Sequence, residues 1–293
     1  MRQSGAGVVL IAGPTASGKS RLALELAATR GGVVINADSM QVYRELRIIS
    51  ARPSAEDEAA VPHLLYGHVG AATRYSVGTW LADIAPVLAD AKREGRVAIV
   101  VGGTGLYFKA LTEGLASVPP IPADVRLAIA RRIAEVETGE LHARLAGENA
   151  EDAAAIRPTD RSRIVRAMEV FATTGLSLAA WKRADAQPPL VDPQTLERLL
   201  VIPEQAELHR RIAARAEAMV HHGSIEEARA LGSLGLDPAQ PAMKAIGVRE
   251  LLAHLAGKLS LDEAVAAIKT ETRRYAKRQM TWIRNQMADW PRP

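Results

Sequence analysis

The chain predicts an α/β fold: a parallel sheet core flanked by helices, with an inserted helical domain and a helical C-terminal region. Three observations lead there. Short apolar, β-branched runs alternate with helical stretches through the first third of the 293 residues, the pattern of a doubly wound parallel sheet. The first of these runs passes directly into a glycine-bounded loop and then a helix-forming stretch. Three prolines within four residues, in Val118-Pro119-Pro120-Ile121-Pro122, then end the alternation, because proline fixes φ and removes a backbone donor.

The elements follow in order. Val8-Val9-Leu10-Ile11-Ala12 reads as the first strand, residues 19–29 as a helix closing on Gly31-Gly32, and residues 33–36 as the second strand. Residues 64–69 read as a third strand, 78–92 as a helix closing on Gly95, and 97–101 as a further strand. Glycine just past the last turn is a common helix end. From the proline break to about residue 187 the chain is helical and charged, and Pro188-Pro189 punctuates again. Leu199-Leu200-Val201-Ile202 reads as a strand returning to the sheet, and from Glu204 the chain is helical nearly to its end. The expected organisation is a core of residues 1–117 and 193–293, with residues 118–192 inserted as a helical domain.

Composition bounds the function. A hydrophobic content of 48% with 24% charged residues is that of an ordinary globular chain. Only 4% of residues are aromatic, which suits helices packed by small aliphatic side chains. There is no cysteine, so disulfides, thiolate metal sites and cysteine nucleophiles are excluded and a reducing compartment is compatible. No run approaches the roughly 20 apolar residues of a membrane span. The first strand comes too soon for a signal peptide, so the expected location is the cytoplasm. The net charge of +4 is concentrated: residues 269–292 carry seven basic against two acidic side chains, and 157–183 carry six against two. Such clusters favour a polyanionic partner, a solvated helix face being the alternative.

Gly13-Pro14-Thr15-Ala16-Ser17-Gly18-Lys19-Ser20 is a full G-x-x-x-x-G-K-[ST] phosphate-binding loop, placed between strand and helix as the motif requires. The core is therefore P-loop NTPase-like. Gly13 and Gly18 let the backbone wrap closely, so that its N–H groups converge on an anion at the positive end of the helix. Lys19 adds a charge for the terminal phosphate, and the Ser20 hydroxyl can ligate Mg²⁺. In such sheets ligands lie beyond the carboxyl ends of the strands, which puts this loop, Asp38 and the Gly102-Gly103-Thr104-Gly105 turn on one edge. Asp38 can accept a proton from an incoming nucleophile or cap a turn. Thr104 can hydrogen-bond a ligand or cap its own β–α turn.

Neither the strand at 97–101 nor that at 199–202 ends in an acid. A P-loop hydrolase usually carries a Mg²⁺-binding aspartate there, so its absence speaks against ATP hydrolysis and leaves Asp38 as the well-placed carboxylate. Arg163 and Arg166 lie three apart and Arg211 and Arg215 four apart, so each pair shares a helix face and can bind phosphate or face solvent. The histidines show no metal-ligand spacing.

Taken together, the segments Gly13–Ser20, Asp38-Ser39-Met40-Gln41-Val42-Tyr43, Val101-Gly102-Gly103-Thr104-Gly105-Leu106-Tyr107, Arg163-Ile164-Val165-Arg166-Ala167-Met168-Glu169-Val170, Ala245-Ile246-Gly247 and Thr272-Arg273-Arg274-Tyr275-Ala276-Lys277-Arg278-Gln279-Met280-Thr281-Trp282 resemble the tRNA dimethylallyltransferase (tRNA isopentenyltransferase) family. They span nearly the whole chain in the family's order, and the second and last are its most specific. The resemblance implies transfer of a dimethylallyl group from dimethylallyl diphosphate to N6 of adenosine 37 in the tRNA anticodon arm. It implies that residues Gly13, Pro14, Thr15, Ala16, Ser17, Gly18, Lys19 and Ser20 hold the diphosphate with Mg²⁺, Arg211 adding a second contact. It makes Asp38 the general base, with Thr104 and Lys19 beside the reacting groups. Asp38, Ser39, Met40, Gln41, Thr104, Arg126, Ser162, Arg163 and Arg166 would touch tRNA, so that the inserted domain is tRNA-binding. A monomer is the expected state. The chain departs from the family's pattern in carrying Ser162 for Gln and Ala216 for an aromatic residue.

Three other activities are compatible with the loop. A small-molecule kinase would need ATP; prenyl transfer to a free adenine nucleotide would not need the basic cluster at 269–292; an inert RNA-binding protein would not need Lys19, Ser20 and Asp38 together.

Overall fold

The computed structural model describes residues 7–116, 118–184, 188–192 and 195–293. Its contacts divide the chain into two units, one of residues 1–112 and 190–293, the other of residues 113–189.

The first unit holds the sheet. Its elements are β1 (Val8–Ala12), α1 (Lys19–Arg30), β2 (Gly32–Asn36), α2 (Ala55–Ala60), β3 (His63–Leu64), α3 (Val77–Arg93), β4 (Val97–Gly102) and α4 (Gly105–Glu113). All five strands are parallel, in the order β3-β2-β4-β1-β5. The helices of the second unit are α5 (Ala123–Arg132), α6 (Thr138–Glu148), α7 (Ala150–Ala155), α8 (Arg161–Thr174) and α9 (Leu178–Ala184). The chain then returns to the first unit as β5 (Leu196–Leu200), α10 (Gln205–His221), α11 (Ser224–Ser233), a 3₁₀ turn at Ala242–Lys244, α12 (Val248–Leu255) and α13 (Leu261–Gln286). Among the described residues no helix is long and apolar enough to cross a membrane.

The central strands are apolar on both faces because both faces are covered. Leu10, Val33, Ile35 and Val100 pack with Trp80 and Ile84 of α3 and Phe108 and Leu111 of α4. On the other face, Val9, Ile11, Val34 and Ile99 pack with Ala23 and Ala27 of α1. Register sets where the strands end. Ala12 pairs with Gly102 and with Leu200, and Asn36 with Val101. The residues that follow β1, β2 and β4 therefore emerge side by side.

Two strands differ from expectation. The third is only two residues, His63–Leu64. Leu65 and Gly67 take positive φ (62° and 57°), which turns the chain out of the extended state before Val69, and Val69 makes a single isolated bridge to Tyr43. The fifth starts and ends earlier than expected, at Leu196–Leu200. It is an edge strand with a partly exposed face, so it carries Glu197, paired with Arg30 at the end of α1, and Arg198 instead of an unbroken apolar run. The expected helical stretch of the second unit is five helices around Ile129, Leu141, Leu145, Ile164 and Met168; its last expected residues, 185–187, lie outside the described residues.

The long segment after β2 has its own core. Val42, Tyr43, Leu46 and Ile49 pack with Met219 of α10, Leu231 of α11, Leu251 of α12 and Ile268 of α13. The Glu227 carboxylate accepts the N–H groups of Arg47, Ile48 and Ile49 at 2.7–3.0 Å.

At the β4 end, a Cβ on Gly102 would lie 2.0 Å from the Ala37 carbonyl oxygen. The Ala37 oxygen is main chain directly after β2 and Gly102 is the last residue of β4, so neither can swing aside. Gly102→Ala is expected to cost about 1–3 kcal/mol and to lower the thermal midpoint accordingly, as differential scanning calorimetry would show.

Candidate functional site

The glycine-bounded loop wraps the N-terminus of α1. Gly18 is the N-cap at φ 95°, and Ala16 also sits at positive φ, 60°, a strained conformation for a residue with a Cβ. Gly13 must be glycine, since a Cβ there would meet the Val201 carbonyl oxygen at 2.5 Å. The Ser17 N–H donates to the Pro14 oxygen at 3.2 Å, and Lys19 Nζ donates to the same oxygen at 3.1 Å. The lysine thus folds back over the loop. Withdrawal from water lowers its ammonium to about 8; the charge of Asp38 opposes this and that of Arg215 adds to it. Ser20 is exposed in the first turn of α1, Ser17 is buried, and Thr15 is half-buried.

Asp38 is held by Asn36, the wholly buried last residue of β2. Asn36 Oδ1 accepts the Asp38 N–H at 2.8 Å, its Nδ2 donates to the Asp38 and Leu65 carbonyls at 3.0 Å, and its own carbonyl accepts Trp80 Nε1 at 2.9 Å. Asp38 Oδ1 accepts the Met40 N–H at 2.9 Å, so the turn-capping role is present too. Among the described residues no hydrogen bond engages its other oxygen. The Ser39 N–H donates to Thr104 Oγ1 at 3.0 Å, that hydroxyl donates to Ser39 Oγ at 3.4 Å, and Tyr275 of α13 lies beside it. Gln41 Nε2 donates to the Ser50 and Ala51 carbonyls at 3.0 and 2.8 Å, bracing its own loop.

Thr15 and Asp38 line one cavity of about 240 Å³. Arg215 lies between them in chemistry as well as space: its Nη1 donates to Thr15 Oγ1 at 3.1 Å and its Nη2 to the Ile49 carbonyl at 3.4 Å. Burial lowers its pKa while the Asp38 charge raises it. The rest of the lining combines an apolar wall, from Ile212, Ala216 and Met219 of α10, Ala245 and Ile246, and Ile268 of α13, with polar groups that include Lys244 and Arg278. Arg211, one turn earlier, points elsewhere. Its Nη1 donates to the Ser17 carbonyl at 2.9 Å and its Nε to Glu207 at 2.6 Å, and it lines a separate open cleft with Ser17, Gly18 and Arg21. Of the arginine pair marked by its four-residue spacing, Arg215 is the member that reaches the cavity.

One more side chain, which its sequence position gave no role, braces the site from behind the cavity. Gln279 of α13 is buried; its Oε1 accepts the Thr15 N–H at 2.9 Å and its Nε2 donates to the Gly103 carbonyl at 2.9 Å. Three tyrosines also surround Asp38. Tyr66, Tyr107 and Tyr275 are all pushed up, first by burial and then by the Asp38 charge, and so stay neutral phenols.

The remaining candidates belong to the second unit. Ser162 and Arg163 are exposed at the start of α8, with Arg163 Nε 3.3 Å from Asp160. Arg166 of α8 is lowered mainly by burial; Glu169 opposes, and the nearby charge of Arg126 on α5 adds to the depression. Arg126 and Arg166 thus form one cationic cluster. Among the described residues no group of three or more His, Asp or Glu is placed to hold a metal; the exposed Ser20 hydroxyl at the mouth of the loop fits a Mg²⁺ carried chiefly by phosphate oxygens and water.

Known proteins share this architecture. A family model described as IPP transferase matches residues 41–286, and one described as isopentenyl transferase matches residues 6–62. A tRNA dimethylallyltransferase of Methylobacterium nodulans is 54% identical over 96% of this chain and 93% of its own. One from Bradyrhizobium sp. is 51% identical over 96% and 91%. Among solved structures, a tRNA isopentenylpyrophosphate transferase of Bacillus halodurans superposes with a TM-score of 0.66 at 33% identity, covering 96% of this chain and 88% of that one. A eukaryotic dimethylallyltransferase acting on tRNA gives 0.78 at 28% identity, covering 94% and 69%.

Lys19 sets a pH signature for anion binding. Below about 8 the ammonium is already present; above it, a bound anion must draw a proton back onto the amine. Affinity for inorganic diphosphate is therefore expected to fall above that pH, approaching about tenfold per unit. Calorimetric titration between pH 7 and 9.5 measures this, and in Lys19→Met the fall should be reduced to the part that comes from the diphosphate's own last ionisation.

Proposed function

The chain belongs to the IPP transferase, or tRNA dimethylallyltransferase, family, and from that premise we propose that it transfers a dimethylallyl group from dimethylallyl diphosphate to N6 of adenosine 37 in tRNA. The observation that carries this reading is the single cavity in which the phosphate loop, Asp38 and an apolar wall meet. An anionic leaving group, a proton to be removed and a hydrocarbon chain each have a surface there. A phosphoryl-transfer reading gives the apolar wall no task.

The adenine amino nitrogen is a poor nucleophile because its lone pair is delocalised into the ring. Help has to come from alignment, from removal of its proton and from stabilisation of the departing diphosphate. In the proposed reaction the loop, through the amides of Ala16 and of residues 18–20, takes the diphosphate together with Lys19 and Arg215. Asp38 accepts the amino proton through the carboxylate oxygen that Met40 leaves unused. Thr104, fixed by Ser39, borders the reacting groups. Mg²⁺, held by Ser20 and the diphosphate, would neutralise charge on the leaving group. Arg211 acts on the loop through the Ser17 carbonyl.

The acceptor base has to leave its stack to enter the cavity, which favours an unpaired loop such as the anticodon loop. We assign the tRNA contacts to Asp38, Ser39, Met40 and Thr104 at the mouth, with Gln41 through the loop it braces, and to Arg126, Ser162, Arg163 and Arg166 in the second unit. A monomer is the proposed state, and the compartment of the RNA substrate makes the cytoplasm the proposed location.

The test is incubation with radiolabelled dimethylallyl diphosphate and unmodified tRNA, followed by digestion and identification of the labelled nucleoside. Label in N6-dimethylallyladenosine supports the reading; label confined to free nucleotide or water overturns it. Asp38→Asn keeps the oxygen that accepts the Met40 N–H but cannot take up the amino proton. It is expected to lower kcat by about 10²- to 10⁴-fold while leaving the tRNA dissociation constant, measured by filter binding, nearly unchanged.

A further inference from the structure

We propose that Gln279 is a positioning residue for the transfer: its carboxamide sets the spacing between the phosphate loop and the Gly103–Thr104 turn. The inference rests on the function proposed above and extends it to a residue outside the cavity. The two segments follow adjacent strands, β1 and β4, whose last paired residues are Ala12 and Gly102. Beyond that pair, among the described residues, no main-chain hydrogen bond joins residues 13–20 to residues 103–105. The amide of Gln279 spans the gap, accepting from Thr15 N at 2.9 Å and donating to Gly103 O at 2.9 Å.

The orientation of the amide is fixed by its partners. Thr15 N–H can only donate and Gly103 C=O can only accept. Space is fixed as well: a Cβ on Gly103 would lie 2.2 Å from Gln279 Nε2, so the glycine is what lets the amide approach. The bridge then continues on the acceptor side. Thr104 Oγ1 takes the Ser39 N–H at 3.0 Å, and Ser39 follows Asp38 directly. A covalent and hydrogen-bonded path thus runs from the diphosphate cradle to the proposed base. Preorganisation of this kind governs transfer more than binding, because displacement of about 1 Å at the reacting atoms costs orders of magnitude in rate.

The discriminating variant is Gln279→Glu. A protonated glutamic acid can perform both tasks of the amide, one oxygen accepting and the hydroxyl donating. An ionised one can only accept, and it turns a charge toward the Gly103 carbonyl, which raises the carboxyl's own pKa. At pH 8 the variant is expected to lose about 10- to 30-fold in kcat/KM for the donor, with the KM for tRNA unchanged. At pH 5.5 its ratio to the wild type should return to within about threefold. Gln279→Leu should show the same loss at both pH values. Gly103→Ala, which displaces the amide from the opposite side and leaves α13 intact, should lower kcat/KM for the donor in the same way. A deficit in Gln279→Glu that is the same at both pH values, or equal losses for donor and tRNA, would overturn the proposal. Should the wild type transfer no dimethylallyl group at all, the functional reading fails, and the bridge is then judged by inorganic diphosphate binding: the same pH-dependent loss in Gln279→Glu upholds it and its absence ends it.

Discussion

Three segments emerging side by side at one edge of a parallel sheet are the constraint on which everything else depends. Because β2, β4 and β1 are neighbours, the Asp38 turn, the Gly103–Thr104 turn and the phosphate loop leave the sheet next to one another. No side chain has to reach far. Two cations, Lys19 and Arg215, lose part of their hydration and feel the carboxylate of Asp38 across the cavity. A buried charge of this kind is tolerable only near an opposite one. The site therefore holds excess positive charge on the loop side, balanced in part by a single acid, and an anionic ligand completes it.

The segment carrying Asp38 has almost no regular structure, yet it is firmly held. Asn36 closes its start with three side-chain hydrogen bonds and one carbonyl bond to Trp80. Gln41 ties its middle to Ser50 and Ala51, and Glu227 gathers three successive N–H groups at 47–49. Beneath it lies a core built with α10 to α13. Loops can place functional groups accurately when their backbone donors and acceptors are satisfied by such partners. The aspartate is presented by a scaffold, not by a free turn.

How much of this was legible in the sequence depends on the range of the interaction. The phosphate loop was legible because strand, loop and helix are contiguous, and Asp38 because the strand before it announced the edge on which it sits. The earlier start that places β5 at Leu196–Leu200 was not, because an edge strand with Glu197 and Arg198 lacks the apolar run that marks a buried one. Arg211 and Arg215 looked alike, since helical spacing reports a shared face but not what the face meets. Gln279 lies 264 residues from Thr15; the segment that carries it resembles the family's, but nothing local shows which backbone groups its amide meets.

The glycines of the Gly102-Gly103-Thr104-Gly105 turn show why the long-range part matters. Each is kept from bearing a Cβ by a different residue: Gly102 by the Ala37 carbonyl of β2's exit, Gly103 by Gln279, and Gly105 by the indole of Trp282 at 2.1 Å. A glycine-rich turn suggests a backbone approached closely by a ligand. Here the protein itself makes all three approaches, and two come from α13. The turn is shaped by that helix, which also supplies Tyr275 to Thr104. The C-terminal helix thus belongs to the site as fully as the N-terminal loop does, and the chain must be complete from β1 to α13 before Asp38, Thr104 and the phosphate loop stand in their working arrangement.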